Sequence, residues 1–294
     1  MSEKPLKEAL EQNRKAINGY LESLMAPNPQ VPQRLWEAMA YGLLTPGKRV
    51  RPFLVREAGR LFNLDWETVQ PIAAAIEMVH AYSLIHDDMP CMDNSPLRHG
   101  RASVHVAFDS ATALLAGNGL LTLAFEHISK QDYPAEVKVS LFTHLCEASG
   151  AQGMMGGQQL DMNQNPLQSL GEIAHMQSLK TGCMLAFSCM APAILARAPA
   201  LQTQALKSFG HNLGLAYQIT DDLLDLYGEQ AVVGKPLRVD QGNDKVTFVS
   251  ILGETAARQR AQELMNEAIE TLKAAFSGIS YMEDLASYVL AREY

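Results

Sequence analysis

Twice in this chain, carboxylates occupy positions where a globular protein would place core residues. Asp87-Asp88-Met89-Pro90-Cys91-Met92-Asp93 and Asp221-Asp222-Leu223-Leu224-Asp225 each lie in an apolar, helix-forming stretch. Burying an ionised carboxylate without a partner is strongly unfavourable, so both places require a compensating cation. Apart from His86, no basic residue lies within four positions of either cluster. Divalent metal is therefore the expected compensation, and two such clusters facing each other would hold something rich in oxygen between them.

The spacing sharpens this. On a regular helix Asp221 and Asp225 share a face, with Asp222 one step round, so three carboxylates can serve one site. Asp87 and Asp93 are six apart and would point about 240° apart on an unbroken helix. Pro90 removes a backbone donor and its ring clashes with the carbonyl of His86, so the helix is expected to end or kink there and let Asp93 fold back toward Asp87. Neither cluster has the alternating ligands, central glycine and terminal glutamate of a calcium loop. Magnesium fits better, because it takes one or two carboxylates and completes its octahedron with water and phosphate oxygens. One Asp-Asp pair alone would read as a solvated helix cap, whereas two related clusters in apolar helices do not.

Basic residues complete the constellation. Gly47-Lys48-Arg49-Val50-Arg51-Pro52 opens a helix, where free backbone N–H groups, the positive end of the dipole and three cations together make an anion site. Lys180-Thr181-Gly182 is expected to close another helix, and Lys235 and Lys245 punctuate the polar loop after the second cluster.

Helices must position these residues. Apolar residues recur at three- and four-residue spacing nearly throughout, which predicts an all-α chain with helices over roughly 4–24, 30–43, 50–62, 66–88, 110–130, 135–160, 169–181, 183–197, 200–228, 246–275 and 281–292. Pro and Gly punctuate them without forming a linker, so a single domain over 1–294 is expected. The stretches around Ala73-Ala74-Ala75-Ile76 and Leu213-Gly214-Leu215-Ala216 are apolar on most faces and belong at the centre of a bundle. Both aspartate clusters then sit near the C-terminal ends of central helices, where the dipole opposes negative charge. With 24 basic against 32 acidic residues and a net charge of -8, no general affinity for nucleic acid or anionic membrane is expected. The chain starts without a secretory signal pattern, and the apolar run Cys183 to Ala196 is too short to span a bilayer, so a cytoplasmic protein without membrane segments is expected. Cys91, Cys146, Cys183 and Cys189 show no metal-ligand spacing, and all but Cys91 read as packing thiols.

The segments Gly47 to Pro52, His80 to Asn94, Gly156-Gly157-Gln158 with Asp161, Lys180 to Gly182, Gln218 to Asp225, and Gly234-Lys235 with Lys245 resemble, in that order, the trans-polyprenyl diphosphate synthases, most closely the bacterial enzymes that make farnesyl diphosphate. The resemblance implies the isoprenoid synthase fold, one large helical bundle around a deep central cavity, assembled as a homodimer. It also implies a magnesium-dependent prenyltransferase, with about three ions around an allylic diphosphate. Isopentenyl diphosphate would be condensed head-to-tail with dimethylallyl or geranyl diphosphate through an allylic carbocation. Carried over by position, Asp87, Asp88, Asp93, Asp221, Asp222 and Asp225 would be metal ligands. Arg98, Lys180, Thr181, Gln218, Lys235 and Lys245 would hold the allylic substrate, with Asp161 nearby, and Lys48, Arg51, His80 and the residue at 99 the isopentenyl diphosphate. The catalytic set would be Asp87, Asp93, Lys180, Thr181, Gln218 and Asp221. Tyr82, with Ser83 beside it, would set product length: it lies five residues before Asp87, about 7.5 Å deeper along the helix axis.

Three departures stand out. The second arginine usual after the first cluster is His99, for which Arg101 is the candidate substitute. Gly117-Asn118 replaces a Gly-Asp pair, and Phe248-Val249 replaces an aromatic-proline. Geranylgeranyl or geranyl diphosphate synthesis, or a weakly active regulatory subunit, are the alternatives. A terpene cyclase fits less well because it needs no second diphosphate site.

Overall fold

A computed structural model describes residues 4–162, 169–227 and 246–291. In chain order the helices are α1 (Lys4–Leu24), α2 (Gln33–Leu43), α3 (Val50–Arg60), α4 (Trp66–Asp87), α5 (Val104–Ala107), α6 (Ser110–Ser129), α7 (Ala135–Ser149), α8 (Met154–Asp161), α9 (Leu170–Gln177), a π-helical turn (Ser178–Gly182), α10 (Cys183–Leu195), α11 (Ala200–Tyr227), α12 (Phe248–Leu252), α13 (Glu254–Ala275) and α14 (Ser280–Leu290). Among the described residues the only sheet is a two-stranded hairpin, β1 (Leu97–Arg98) against β2 (Arg101–Ala102). The fold is all-α, as the periodicity predicts.

Start signals sit where side chains can replace missing helical acceptors. Asp65 accepts from the Thr68 amide at 2.8 Å ahead of α4, and Asp109 from the Thr112 amide at 2.7 Å ahead of α6. Ser169 and Glu172 form a reciprocal capping box at α9, and Thr247 and Ser250 one at α12.

Packing groups the chain into two units. In the first (7–56 and 65–134), α4 packs against α6 and α2, and α2 against α6. Every residue of α4 from Ile72 to Val79 is buried, which explains a helix apolar all round. In the second (4–6, 57–64 and 135 onward), α11 packs against α10, α13, α14 and the π-turn around Phe187, Phe209, Leu213 and Met265.

Four expectations change. The helix predicted over 135–160 breaks between α7 and α8, because Gly153 approaches the carbonyl of Ala148 so closely that a Cβ there would lie 2.2 Å from it. Lys180-Thr181-Gly182 does not end a helix; the chain passes through it in a π-turn, continuous from α9 into α10. The stretch 246–275 divides at Gly253, whose φ of 75° glycine adopts without strain. Cys146 is exposed rather than packed, and no cysteine among the described residues is disulfide-bonded.

The joined stretch Leu170–Leu195 is long and apolar enough to cross a membrane, and 61% of its most apolar window is buried within the protein.

Candidate active site

Helix α4 ends at Asp87, just ahead of Pro90. The carbonyl of His86, which a helical Pro90 would have met, instead accepts from the Met89 amide at 3.1 Å. The chain then turns back: the Asp93 amide donates to the Asp87 carbonyl at 2.9 Å, and the Ser95 amide to the Asp88 carbonyl at 3.2 Å. The two aspartates that a straight helix would separate are thus tied together through their backbones, Asp87 half-buried and Asp93 exposed.

Asp88 behaves differently. Only 3% exposed, its carboxylate receives the Arg98 guanidinium, with Nε 3.1 and 3.2 Å from its two oxygens and Nη2 also bonded. A residue expected on metal and one expected on the allylic diphosphate are therefore each other's partners. Arg98 is delivered by the hairpin, whose two-residue loop, His99-Gly100, has φ of 50° and 77°. Such a turn requires positive φ at both positions, a conformation that histidine tolerates better than most residues. This hairpin was not expected from sequence, because its strands are only two residues long.

Lys48, Arg49 and Arg51 lead into α3 as expected, but they do not form three equivalent anion binders. Arg49 is buried and fully engaged: Nη1 pairs with Glu77 at 2.7 Å, Nε donates to Asn18, and Nη2 donates to the carbonyls of Leu43 and Thr45. Those bonds give Arg49 a structural role. The Arg101 guanidinium, the candidate substitute, stacks 4.2 Å from the Tyr41 ring centroid.

His80 and His99 share this cationic environment. Burial first, then Arg51, Arg49 and Arg98, hold the His80 imidazole well below the usual value. His99 keeps an exposed edge, yet lost hydration, followed by Arg98 and Arg49, lowers it too. Both rings are neutral near pH 7 and donate one N–H each. Because an unfolded histidine titrates near 6.5 and the folded His80 lower, its contribution to stability is complete above 6.5 and is lost as pH falls. The thermal midpoint of the ligand-free protein is expected to drop on acidification below that value, and His80→Gln to flatten the profile; parallel profiles would refute this.

Tyr82 is 8% exposed, and burial, with the Asp87 carboxylate, raises its phenol pKa, so the ring stays unionised. The Ser83 hydroxyl donates to the His80 carbonyl at 2.9 Å.

The second cluster lies in the last turns of α11. Asp221 and Asp225 are four apart on one face, with Asp225 buried and unpaired with any cation among the described residues. Asp222 turns elsewhere: Gln218 donates to one oxygen at 3.1 Å, and the Phe248 amide at the start of α12 donates to the other at 3.2 Å. Lys180 pairs with Asp161 at 2.7 Å. Gly157 is what allows α8 to reach the π-turn that carries Lys180 and Thr181, since a Cβ there would lie 2.2 Å from the Lys180 amide. Gln158, given no role from sequence, has both amide atoms buried without a hydrogen bond among the described residues, as does the Gln177 oxygen. Lys235 and Lys245 lie outside the described residues.

No three acidic, histidine or cysteine groups converge into a ready-made metal cage among the described residues. Such sparse, oxygen-only donor sets suit magnesium, which takes its remaining ligands from water and substrate.

The family model described as polyprenyl synthetase matches residues 32–282. Farnesyl diphosphate synthase of Geobacillus stearothermophilus is 39% identical over 283 residues, 95% of this chain and 94% of that one. Among solved structures, an FPP/GFPP synthase from Zymomonas mobilis superposes with a TM-score of 0.87 at 39% identity, covering 99% of this chain and 100% of the other. A geranylgeranyl pyrophosphate synthetase from the archaeon Geoglobus acetivorans gives 0.86 at 28% identity, covering 98% and 99%.

Proposed function

Because this chain belongs to the polyprenyl synthetase family, we propose that it is a farnesyl diphosphate synthase, condensing isopentenyl diphosphate with dimethylallyl and then geranyl diphosphate. The observation that carries this reading is the proximity, within one unit, of the folded-back Asp87/Asp93 pair to a separate cationic group of Lys48, Arg51, His80 and His99, with Arg98 between them. Two distinct anion sites suit condensation of two diphosphates, whereas cyclisation needs one.

Asp87, Asp93, Asp221 and Asp225 would hold the magnesium ions, whose bound charge stabilises the departing diphosphate. Lys180 donates to oxygens of the allylic diphosphate as its C–O bond breaks, exchanging Asp161 for substrate. Arg98, aimed by Asp88, does the same from the other motif. The Thr181 hydroxyl and the amide oxygen of Gln218, whose Nε2 is already given to Asp222, orient lone pairs toward the allylic cation. Lys48, Arg51, His80 and His99 hold isopentenyl diphosphate while its double bond forms the new C–C bond, and the released pyrophosphate takes the proton lost. Incubating the protein with magnesium, isopentenyl diphosphate and each allylic primer, with products identified by mass, tests the reading; no elongation from any primer would sink it.

At position 99 a neutral imidazole lacks the bidentate fork of arginine. His99→Arg is expected to lower the KM for isopentenyl diphosphate roughly tenfold, the scale of one charge-assisted hydrogen bond; an unchanged KM refutes the assignment.

The family match runs through both packing units, which supports treating the chain as one catalytic domain. A homodimer, as in the family, would cover exposed apolar side chains such as Val106, Leu114 and Leu115, and sedimentation would report a monomer if that is wrong. A cytoplasmic location accords with the burial of Leu170–Leu195.

A further inference from the structure

Tyr82 does not stand alone on α4. One turn on, the His86 ring meets it edge to face, with centroids 4.9 Å apart and planes at 78°. His86 is fixed to α6 in turn, its Nε2 lying 3.1 Å from the Leu114 carbonyl oxygen. A carbonyl only accepts, so Nε2 carries the proton. The ring also fills space that only a glycine leaves open, since a Cβ at Gly117 would fall 2.3 Å from Nε2 and 2.5 Å from Cδ2. His86 is therefore wedged between the backbone of α6 and the Tyr82 ring.

We propose that His86 is a specificity-determining positioning residue: the Gly117–His86–Tyr82 stack, and not Tyr82 alone, fixes how far the prenyl chain grows. The inference rests on Tyr82 limiting the product. A staggered side chain hops between wells unless neighbours occupy the alternatives, and a growing apolar chain presses on whichever well is softest. Without the imidazole, Tyr82 yields and elongation passes the fifteen-carbon stage.

The test compares Tyr82→Ala, His86→Ala, the double variant and His86→Phe, with magnesium, isopentenyl diphosphate and geranyl diphosphate, by mass spectrometry of products at matched turnover. His86 adjoins Asp87, so rates will fall in any case; the ratio of twenty- to fifteen-carbon product is the readout that mere damage to the metal site does not move. His86→Ala is expected to raise that ratio roughly tenfold, corresponding to loss of one edge-to-face ring contact. The double variant should go no further than Tyr82→Ala, and His86→Phe, which keeps a ring but loses the bond to Leu114, should stay near the native ratio. A native ratio in His86→Ala alongside lengthening in Tyr82→Ala overturns the proposal and spares the reading of Tyr82. No lengthening in Tyr82→Ala overturns both. Longer products from the double variant than from Tyr82→Ala would make His86 a direct barrier and overturn the buttress. Should His86→Ala fail to fold, Gly117→Ala displaces the same ring from α6, and an unchanged ratio there refutes the proposal.

Discussion

Asp87→Asn is expected to lower turnover by roughly two to three orders of magnitude while leaving the fold as stable as before, or slightly more stable. The two halves of this expectation have one cause. Asp87 is the last residue of α4, where unsatisfied carbonyls and the negative end of the dipole already repel a carboxylate, a penalty of about 0.3–1 kcal/mol. Neutralising it relieves that repulsion, gives up some attraction to Arg98, and removes a charge that on the proposed function holds metal against a diphosphate. The half-saturating magnesium concentration should rise in the same variant. Asp65, at the opposite end of α4, makes the control: it caps the helix by accepting from Thr68, so Asp65→Ala should cost about 0.5–2 kcal/mol and leave turnover intact. If Asp87→Asn instead lost stability and kept its activity, the first cluster would be a solvated cap.

What the sequence disclosed about the site follows from the energetics of charge. A carboxylate in an apolar helix has no cheap structural explanation, so the aspartates and the fold-back at Pro90 were legible from residue type and spacing. What stayed hidden lacked a local signature. A π-turn differs from an α-helix by its hydrogen-bond register, which the residues Ser178 to Gly182 do not advertise, so Lys180 and Thr181 were expected at a helix end and lie mid-helix. The hairpin was hidden because two strands of two residues give no alternation to detect. The division of labour among the acids was equally invisible: Asp88 and Asp222 have the same sequence context as their neighbours, but bind Arg98 in one case and Gln218 and the Phe248 amide in the other. That difference depends on which way each side chain leaves its helix, and on partners 10 and 26 residues away.

Glu77 shows the same energetic logic with another outcome, and carries the largest expected effect on stability. It is a lone carboxylate in the most apolar part of α4, and its compensation is a protein cation: Arg49, 2.7 Å away, with side-chain exposures of 7% for Arg49 and 3% for Glu77. Glu77→Ala leaves that guanidinium buried without its counter-charge and should destabilise the protein by about 3–5 kcal/mol, read from the urea midpoint. Arg49→Met with Glu77→Leu removes both charges, which is often neutral where apolar groups fill the volume. Recovery here should be partial, because Arg49 also holds the carbonyls of Leu43 and Thr45 and sits at φ 51°, a conformation methionine tolerates poorly. In the folded double variant the KM for isopentenyl diphosphate should change by no more than about twofold, while Arg51→Ala, which removes a charge-assisted contact, should raise it by roughly tenfold or more. A double variant that folds well yet loses affinity as Arg51→Ala does would make Arg49 a substrate ligand, with Glu77 merely holding it until diphosphate arrives.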